Sequence, residues 1–207
     1  MPQIVVGLEN KSLESMTQFD KVIVFSGRTI DSRDRSSPRF PSSKEEIVAQ
    51  RLKNQLKAWD IGKNSLAICS GACGGDILFA EACLDLGAKV DLYIPLSDTE
   101  FIDRSIRIKN TDNNWEDRYW KLSNYPQVSK YFLQDYQGEL PKDISVFALN
   151  NLWIINSATT IASKENLYGL LVWDEKSTGD GAGGTSDFAH TIQERGEHIA
   201  IINPTKL

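Results

Sequence analysis

Apolar residues in this chain fall into short, spaced runs, and the segments between them carry apolar positions at intervals of three and four. Val22-Ile23-Val24-Phe25, Leu66-Ala67-Ile68-Cys69, Val90 to Ile94, Lys130 to Leu133, the run from Leu167 that ends at Trp173 and Asp174, and His198 to Ile202 are too short for helices and read as strands. Ile47, Val48, Leu52, Leu56 and Trp59 share one helical face behind Ser43, which is the predicted N-cap, with Glu45 and Glu46 in the first turn. Ile77 to Leu84 predicts a helix apolar nearly all round, ending near Gly87, and Ser97 to Ile108 a shorter one with Phe101, Ile102 and Ile106 inward. Trp115, Tyr119, Trp120 and Leu122 form an aromatic stripe at helical spacing. From Lys142, the positions Ile144, Phe147, Ala148, Asn151, Ile155, Ala158 and Ala162 predict the longest helix, and Phe188 to Arg195 the last.

Strands that alternate with helices need crossovers, so the predicted class is α/β, a doubly wound, mainly parallel Rossmann-like sheet with helices on both faces. Residues 21–207 are expected to form a single nucleotide-binding domain, with residues 1–20 as an arm or edge strand around Ile4-Val5-Val6. In such sheets ligands sit beyond the carboxyl ends of strands, where strand order reverses. Three loops follow strands: Ser26-Gly27-Arg28, then Ser70 and Gly71 through Gly74, Gly75 and Asp76, then Gly179 to Asp187. The last holds Asp180, Gly181, Gly183, Gly184 and Thr185 before Asp187 and leads into a helix. Glycine lets backbone amides approach a ligand at a positive helix start, so the outline is an anion site. The polar stretch from Asp31 to Ser43, with Arg33, Arg35 and Arg39 and two prolines, reads either as a solvated loop or as a phosphate clasp.

Charge narrows the choice. A net charge of -5 with scattered Lys and Arg gives no basic stripe, which disfavours nucleic acid, and no run is long enough to span a membrane. The expected location is cytoplasmic. Cys69, Cys73 and Cys83 lack Cys-x-x-Cys spacing and read as buried free thiols. Gly179-x-Gly181-x-x-Gly184 has the dinucleotide spacing, but no acidic residue ends the next strand, so NAD is discounted. Gly179 with Gly184-Thr185 has P-loop spacing without the lysine. His190 and His198 come without a serine elbow and read as surface or helix-end residues.

V-I-V-F-S-G-R at Val22 to Arg28, S-G-A-C-G-G-D-I-L-F-A-E-A at Ser70 to Ala82 and G-A-G-G-T-S-D at Gly181 to Asp187 resemble the SLOG superfamily of Rossmann-like domains. That group includes cytokinin-activating phosphoribohydrolases, often described as lysine decarboxylase-like, the DNA-processing protein DprA, and nucleotide-sensing domains of signalling proteins. With Ser26 to Asp31 and Pro38 to Pro41 added, the chain is similar over most of its length to an uncharacterised bacterial region found beside nucleotide cyclase and tetratricopeptide modules. In the phosphoribohydrolases the loop reads P-G-G-x-G-T-x-x-E; here the glutamate position is Phe188, Asp187 lies one residue earlier, and the segment from Lys142 to Ala162 has no arginine.

The expected function is binding or sensing of a nucleotide or nucleotide-derived ligand. Amides of the Ser70 to Asp76 and Gly181 to Thr185 loops would hold its phosphate, and Arg28 would add a charge-assisted contact. Asp76, Asp180 or Asp187 would meet ribose hydroxyls or a divalent metal that accompanies the phosphate. The rival is an N-glycosidic-bond hydrolase or transferase with Asp187 as the catalytic carboxylate. Single-stranded DNA binding comes third, because its basic groove is missing. A second copy of the chain is a further partner compatible with this reading.

Overall fold

The computed structural model describes residues 19–109, 114–135, 145–176 and 184–207. Six strands form one parallel sheet: β1 (Lys21–Gly27), β2 (Ser65–Cys69), β3 (Lys89–Ile94), β4 (Val128–Phe132), β5 (Leu167–Val172) and β6 (His198–Ile202), in the order β4-β3-β2-β1-β5-β6. Every pairing joins strands that run the same way, so each connection must cross a face of the sheet. The doubly wound α/β class expected from the runs is therefore the fold.

Helix α1 (Glu45–Ala58), α2 (Gly75–Asp85) and α4 (Trp115–Ser123) cover one face, while α5 (Val146–Ile161) and α6 (Thr185–Arg195) cover the other. The central strand shows why two layers are required. Its Ile23 and Phe25 enter the core under α1 and α2, and its Val22 and Val24 enter the core under α5 and α6, all essentially without exposure. Arg118 of α4 ties the first layer together, donating to Glu45 of α1 at 2.6 Å and to Glu81 of α2 at 2.5 Å while lying over the Trp115 ring. The three cysteines are buried and free, and burial pushes the Cys73 thiol up to about 12, so none is poised as a thiolate.

Several boundaries differ from the expected ones. Strand β1 continues through Ser26 and Gly27, which pair with Leu171 and Val172 of β5. Ser43 does not cap α1: Pro41, with φ fixed at -68°, starts a 3-10 turn over Ser42–Lys44, and the helix begins only at Glu45. Strand β4 opens at Val128, and Leu133 passes into a 3-10 turn. Trp120 leaves the aromatic stripe and is 39% exposed, because one residue past Tyr119 turns it about 100° away from the buried face. The short helix α3 (Asp98–Phe101) continues as a π-helical turn over Ile102–Ile106, with Phe101, Ile102 and Ile106 inward as expected. The N-terminal arm falls almost wholly in residues 1–18, outside the described residues.

Gly74 holds the start of α2 against the loop that leaves β1. Its φ is +85°, and a Cβ placed there would lie 2.6 Å from the Ile30 amide nitrogen and 3.0 Å from the Arg28 carbonyl oxygen. Both neighbours are backbone and cannot rotate away. Gly74→Ala is expected to lower unfolding free energy by at least about 2 kcal/mol, from left-handed strain together with overpacking, as read by chemical denaturation.

Candidate functional site

Strand order reverses between β1 and β5, whose following segments lead to helices on opposite faces of the sheet. At that point lies a cleft of about 200 Å³ whose wall includes Ser26, Gly27, Thr29, Ser70, Asp76 and Asn150, with Gly184 and Thr185 at the start of α6. A second cleft of about 250 Å³ adjoins it, lined by Arg28, Asp31, Arg35 and Arg39 and sharing Gly27, Thr29, Gly184 and Thr185 with the first. The three expected loops thus meet, as far as they are described. Asp180, Gly181 and Gly183 lie outside the described residues.

The Ser70 to Asp76 loop has an internal ligand. Asp76 is buried, and its carboxylate accepts from the amides of Ser70 at 3.0 Å and Gly71 at 3.3 Å. The amide of Gly75 donates to the Arg28 carbonyl at 3.0 Å, and Gly74 and Gly75 face backbone of the β1 loop. The amides of Ser70, Gly71, Cys73 and Gly75, expected to grip a phosphate here, are therefore engaged within the chain, and Gly71, Gly74 and Gly75 pack closely on their neighbours. Burial raises the Asp76 carboxyl to about 7 against the lowering effect of the amide hydrogen bonds.

Helix α6 presents the other positive end. Gly184 is its N-cap, at φ -74° and ψ -179° and with no side-chain cap, and the first intrahelical bond runs from the Phe188 amide to the Gly184 carbonyl. The amides ahead of Phe188 precede that ladder, which is where helices accept anions. Gly184 is in an ordinary extended conformation, so its value at this position does not lie in positive φ. Thr185 and Ser186 are buried, while Asp187 is exposed and is not part of either cleft wall.

Arg28 stands at the site with its guanidinium already engaged. Its Nε and Nη2 donate to Asp174 at 3.1 and 2.7 Å, and Arg39 Nε donates to the other carboxylate oxygen at 2.7 Å. The Asp174 side chain is wholly buried. Burial opposes its ionised form, but the bonds and charges of Arg39 and Arg28 outweigh that and hold the carboxyl below its ordinary value of 3.8. Asp31 closes the base of the same loop by accepting from the amides of Arg39 and Phe40, both at 2.7 Å. The arginine-rich loop is neither simply solvated nor a free clasp: it is strapped to the end of β5.

Sequence reasoning missed Asp174 as a partner, although a lone acid at the end of a buried strand beside a strand ending in arginine is a usable signal. It also placed Asn151 on the inner face of α5, whereas Asn150 is the buried residue, with Nδ2 donating to the Tyr93 carbonyl at 2.8 Å and to Ser70 Oγ at 3.0 Å. His190 and His198 are exposed, as expected. Among the described residues no group of three or more His, Cys, Asp or Glu is gathered to hold a metal, and no helix is long and apolar enough to cross a membrane.

No protein-family model matches the sequence, and no curated protein is significantly similar to it. Among solved structures, the chain is similar to DNA processing protein A from Helicobacter pylori, described for its single-stranded DNA binding mode, at 13% identity and a TM-score of 0.47, over 92% of this chain and 72% of that one. It is similar to DNA processing protein A from Streptococcus pneumoniae at 16% identity and a TM-score of 0.37, over 89% and 59% of the two chains. The Moco carrier protein from Chlamydomonas reinhardtii gives 10% identity and a TM-score of 0.35, over 90% and 91%. The fold assignment rests on the strand order itself.

Asp174→Asn would leave one buried and one part-buried guanidinium group short of their counter-charge and is expected to cost about 3 kcal/mol by chemical denaturation. An unchanged denaturation midpoint would remove the strap from the account. Asp76 gives a pH signature of opposite sign to Asp174. Its folded pKa is raised from 3.8 to about 7, so its contribution is full below the unfolded value and is lost as pH rises toward 7. Asp174, held low, contributes above the unfolded value and loses that contribution as pH falls through its folded pKa. The stability difference between the unaltered chain and Asp76→Asn should therefore fall across that Asp76 window, and a flat difference would contradict the assignment.

Proposed function

We propose that this chain binds a nucleotide or nucleotide-derived ligand across the two adjoining clefts, with the phosphate at the start of α6. The carrying observation is the shared waist: Gly27, Thr29, Gly184 and Thr185 border both clefts at the switch point of the sheet. Neither cleft alone reaches the roughly 300 Å³ of small-molecule pockets, and together they exceed it, which suits a ligand of two chemically distinct parts. One side offers aromatic and amide groups, Phe101, Phe147 and Asn150, for a base. The other gathers Arg28, Arg35 and Arg39 near the helix start, an environment that favours negative charge despite Asp31 and Asp174. A divalent cation would enter with the phosphate. The SLOG resemblance supports the same reading, and a sensing role in signalling belongs to that part of it.

Binding without turnover is the form we favour. Phe188 is 1% exposed in the core where the similar hydrolases carry glutamate, Asp187 lies outside the cleft wall, and α5 carries no charged residue. Glycosidic cleavage needs a carboxylate beside the scissile bond, and Asp187 does not supply one there.

Gly184→Asp separates the site from the fold. Aspartate at an uncapped N-cap is neutral or slightly favourable to the helix, yet its charge opposes a phosphate at that place. Calorimetry with nucleoside 5′-monophosphates should show at least about tenfold weaker binding, with no fall in thermal midpoint. Unchanged affinity would sink the site. Nucleotides incubated with the unaltered chain should be recovered intact by chromatography; released free base would replace the sensor with the hydrolase.

A further inference from the structure

Among the described residues, the buried side-chain atoms without a hydrogen-bond partner are Trp115 Nε1, Ser123 Oγ and Asn150 Oδ1, and of these residues Asn150 lines the cleft. Its orientation is fixed by chemistry. The Tyr93 carbonyl can only accept, so the amide nitrogen must be the atom 2.8 Å from it. The second Nδ2 hydrogen goes to Ser70 Oγ at 3.0 Å. Both donors are therefore used, and the 1% exposed side chain of this cleft-lining residue keeps a buried, unpaired acceptor. Such an acceptor is destabilising unless something meets it.

Ser70 completes the arrangement. Its oxygen accepts from Asn150, which leaves the hydroxyl proton to donate elsewhere, and Ser70 also lines the cleft. An acceptor on Asn150 and a donor on the Ser70 hydroxyl it contacts thus belong to one cleft wall. Phe25, Phe101 and Phe147 line the same chamber and give it apolar surface against which a flat ring packs.

We propose that Asn150 is the specificity-determining residue of this chamber. Its Oδ1 accepts from an exocyclic amine of a nucleobase, and the Ser70 hydroxyl donates to the ring nitrogen beside that amine. Oδ1 itself is buried. The ring reaches Oδ1 through a local adjustment of the cleft wall around Asn150. Bases that present an amine next to a ring acceptor are therefore selected over bases that lack the amine, since the latter leave Oδ1 buried and unpaired. The inference rests on the nucleotide-binding reading above and deepens it.

The test is calorimetric titration of the whole chain with adenosine 5′-monophosphate and with purine riboside 5′-monophosphate, which differ only in the exocyclic amine. The adenosine compound should bind at least about tenfold more tightly. Asn150→Leu should bring the ratio close to one. Equal affinities in the unaltered chain, or a preference that persists in Asn150→Leu, would overturn the assignment while leaving nucleotide binding intact. Absence of binding by both compounds would instead remove the nucleotide reading, and this inference with it. If Asn150→Leu does not fold, the ratio in the unaltered chain still decides, and Ser70→Ala, which spares the Tyr93 contact, should reduce it.

Discussion

The carboxylate of Asp76, folded back onto the amides of Ser70 and Gly71, is the contact on which the arrangement of this protein turns. A helix start that points at the carboxyl edge of a parallel sheet carries unpaired amides, and it draws in whatever acceptor group is within reach. In α2 that group belongs to the helix itself. The loop ahead of it is thereby drawn down, Gly71 and Gly74 take positive φ, and the chain from Arg28 to Ile30 packs directly over the turn. An external anion would have to displace the buried Asp76 side chain. At the switch-point cleft, the start of α6 is left without a side-chain cap.

A second internal pairing acts on the opposite side of the cleft. Arg28 follows β1 and Asp174 follows β5, the two strands that flank the reversal of strand order, and Arg39 reaches the same carboxylate from the far end of the intervening loop. Buried ion pairs are costly to desolvate, so their value lies less in net stability than in the geometry they impose. Here they set the height of the arginine-rich loop above β1. Phe40 and Ile30, both fully buried, fix the same loop from below.

The architecture was legible because strands buried on both faces must be continuously apolar, as β2 and β5 are, while the edge strands β4 and β6 are short, part-exposed runs that keep only some apolar positions. The strand ends were less so. Ser26 and Gly27 are small and polar in sequence, but the ladder to β5 continues through them, since hydrogen bonding between backbones does not depend on side-chain polarity. The meeting of the loops followed from parallel topology. What each loop does with its polar groups did not, because Asp76, Asp174 and Asp31 bind partners within the chain that lie far apart in sequence or are set by local turns. Residue type alone cannot distinguish an acid that meets a ligand from one that stands in for it.

Helix α5 shows the same limit in another form. Its sixteen residues carry no charge, and apolar side chains surround it, so periodicity does not fix which side faces the sheet. A stripe through Phe147, Ala148, Asn151 and Ile155 is as regular as the buried set of Ala148, Asn150, Ile154, Ile155 and Ala158, and choosing 151 over 150 turns the inner asparagine by about 100°. Hydrophobic burial is non-directional and leaves that rotation soft. Hydrogen bonds are not. The two bonds from Asn150 to Tyr93 and Ser70 tie α5 to the ends of β3 and β2 and hold it at one angle. A polar residue in an apolar helix thus sets the helix rotation, and because its partners lie at the carboxyl ends of strands, the rotation it sets brings Asn150 to the wall of the cleft.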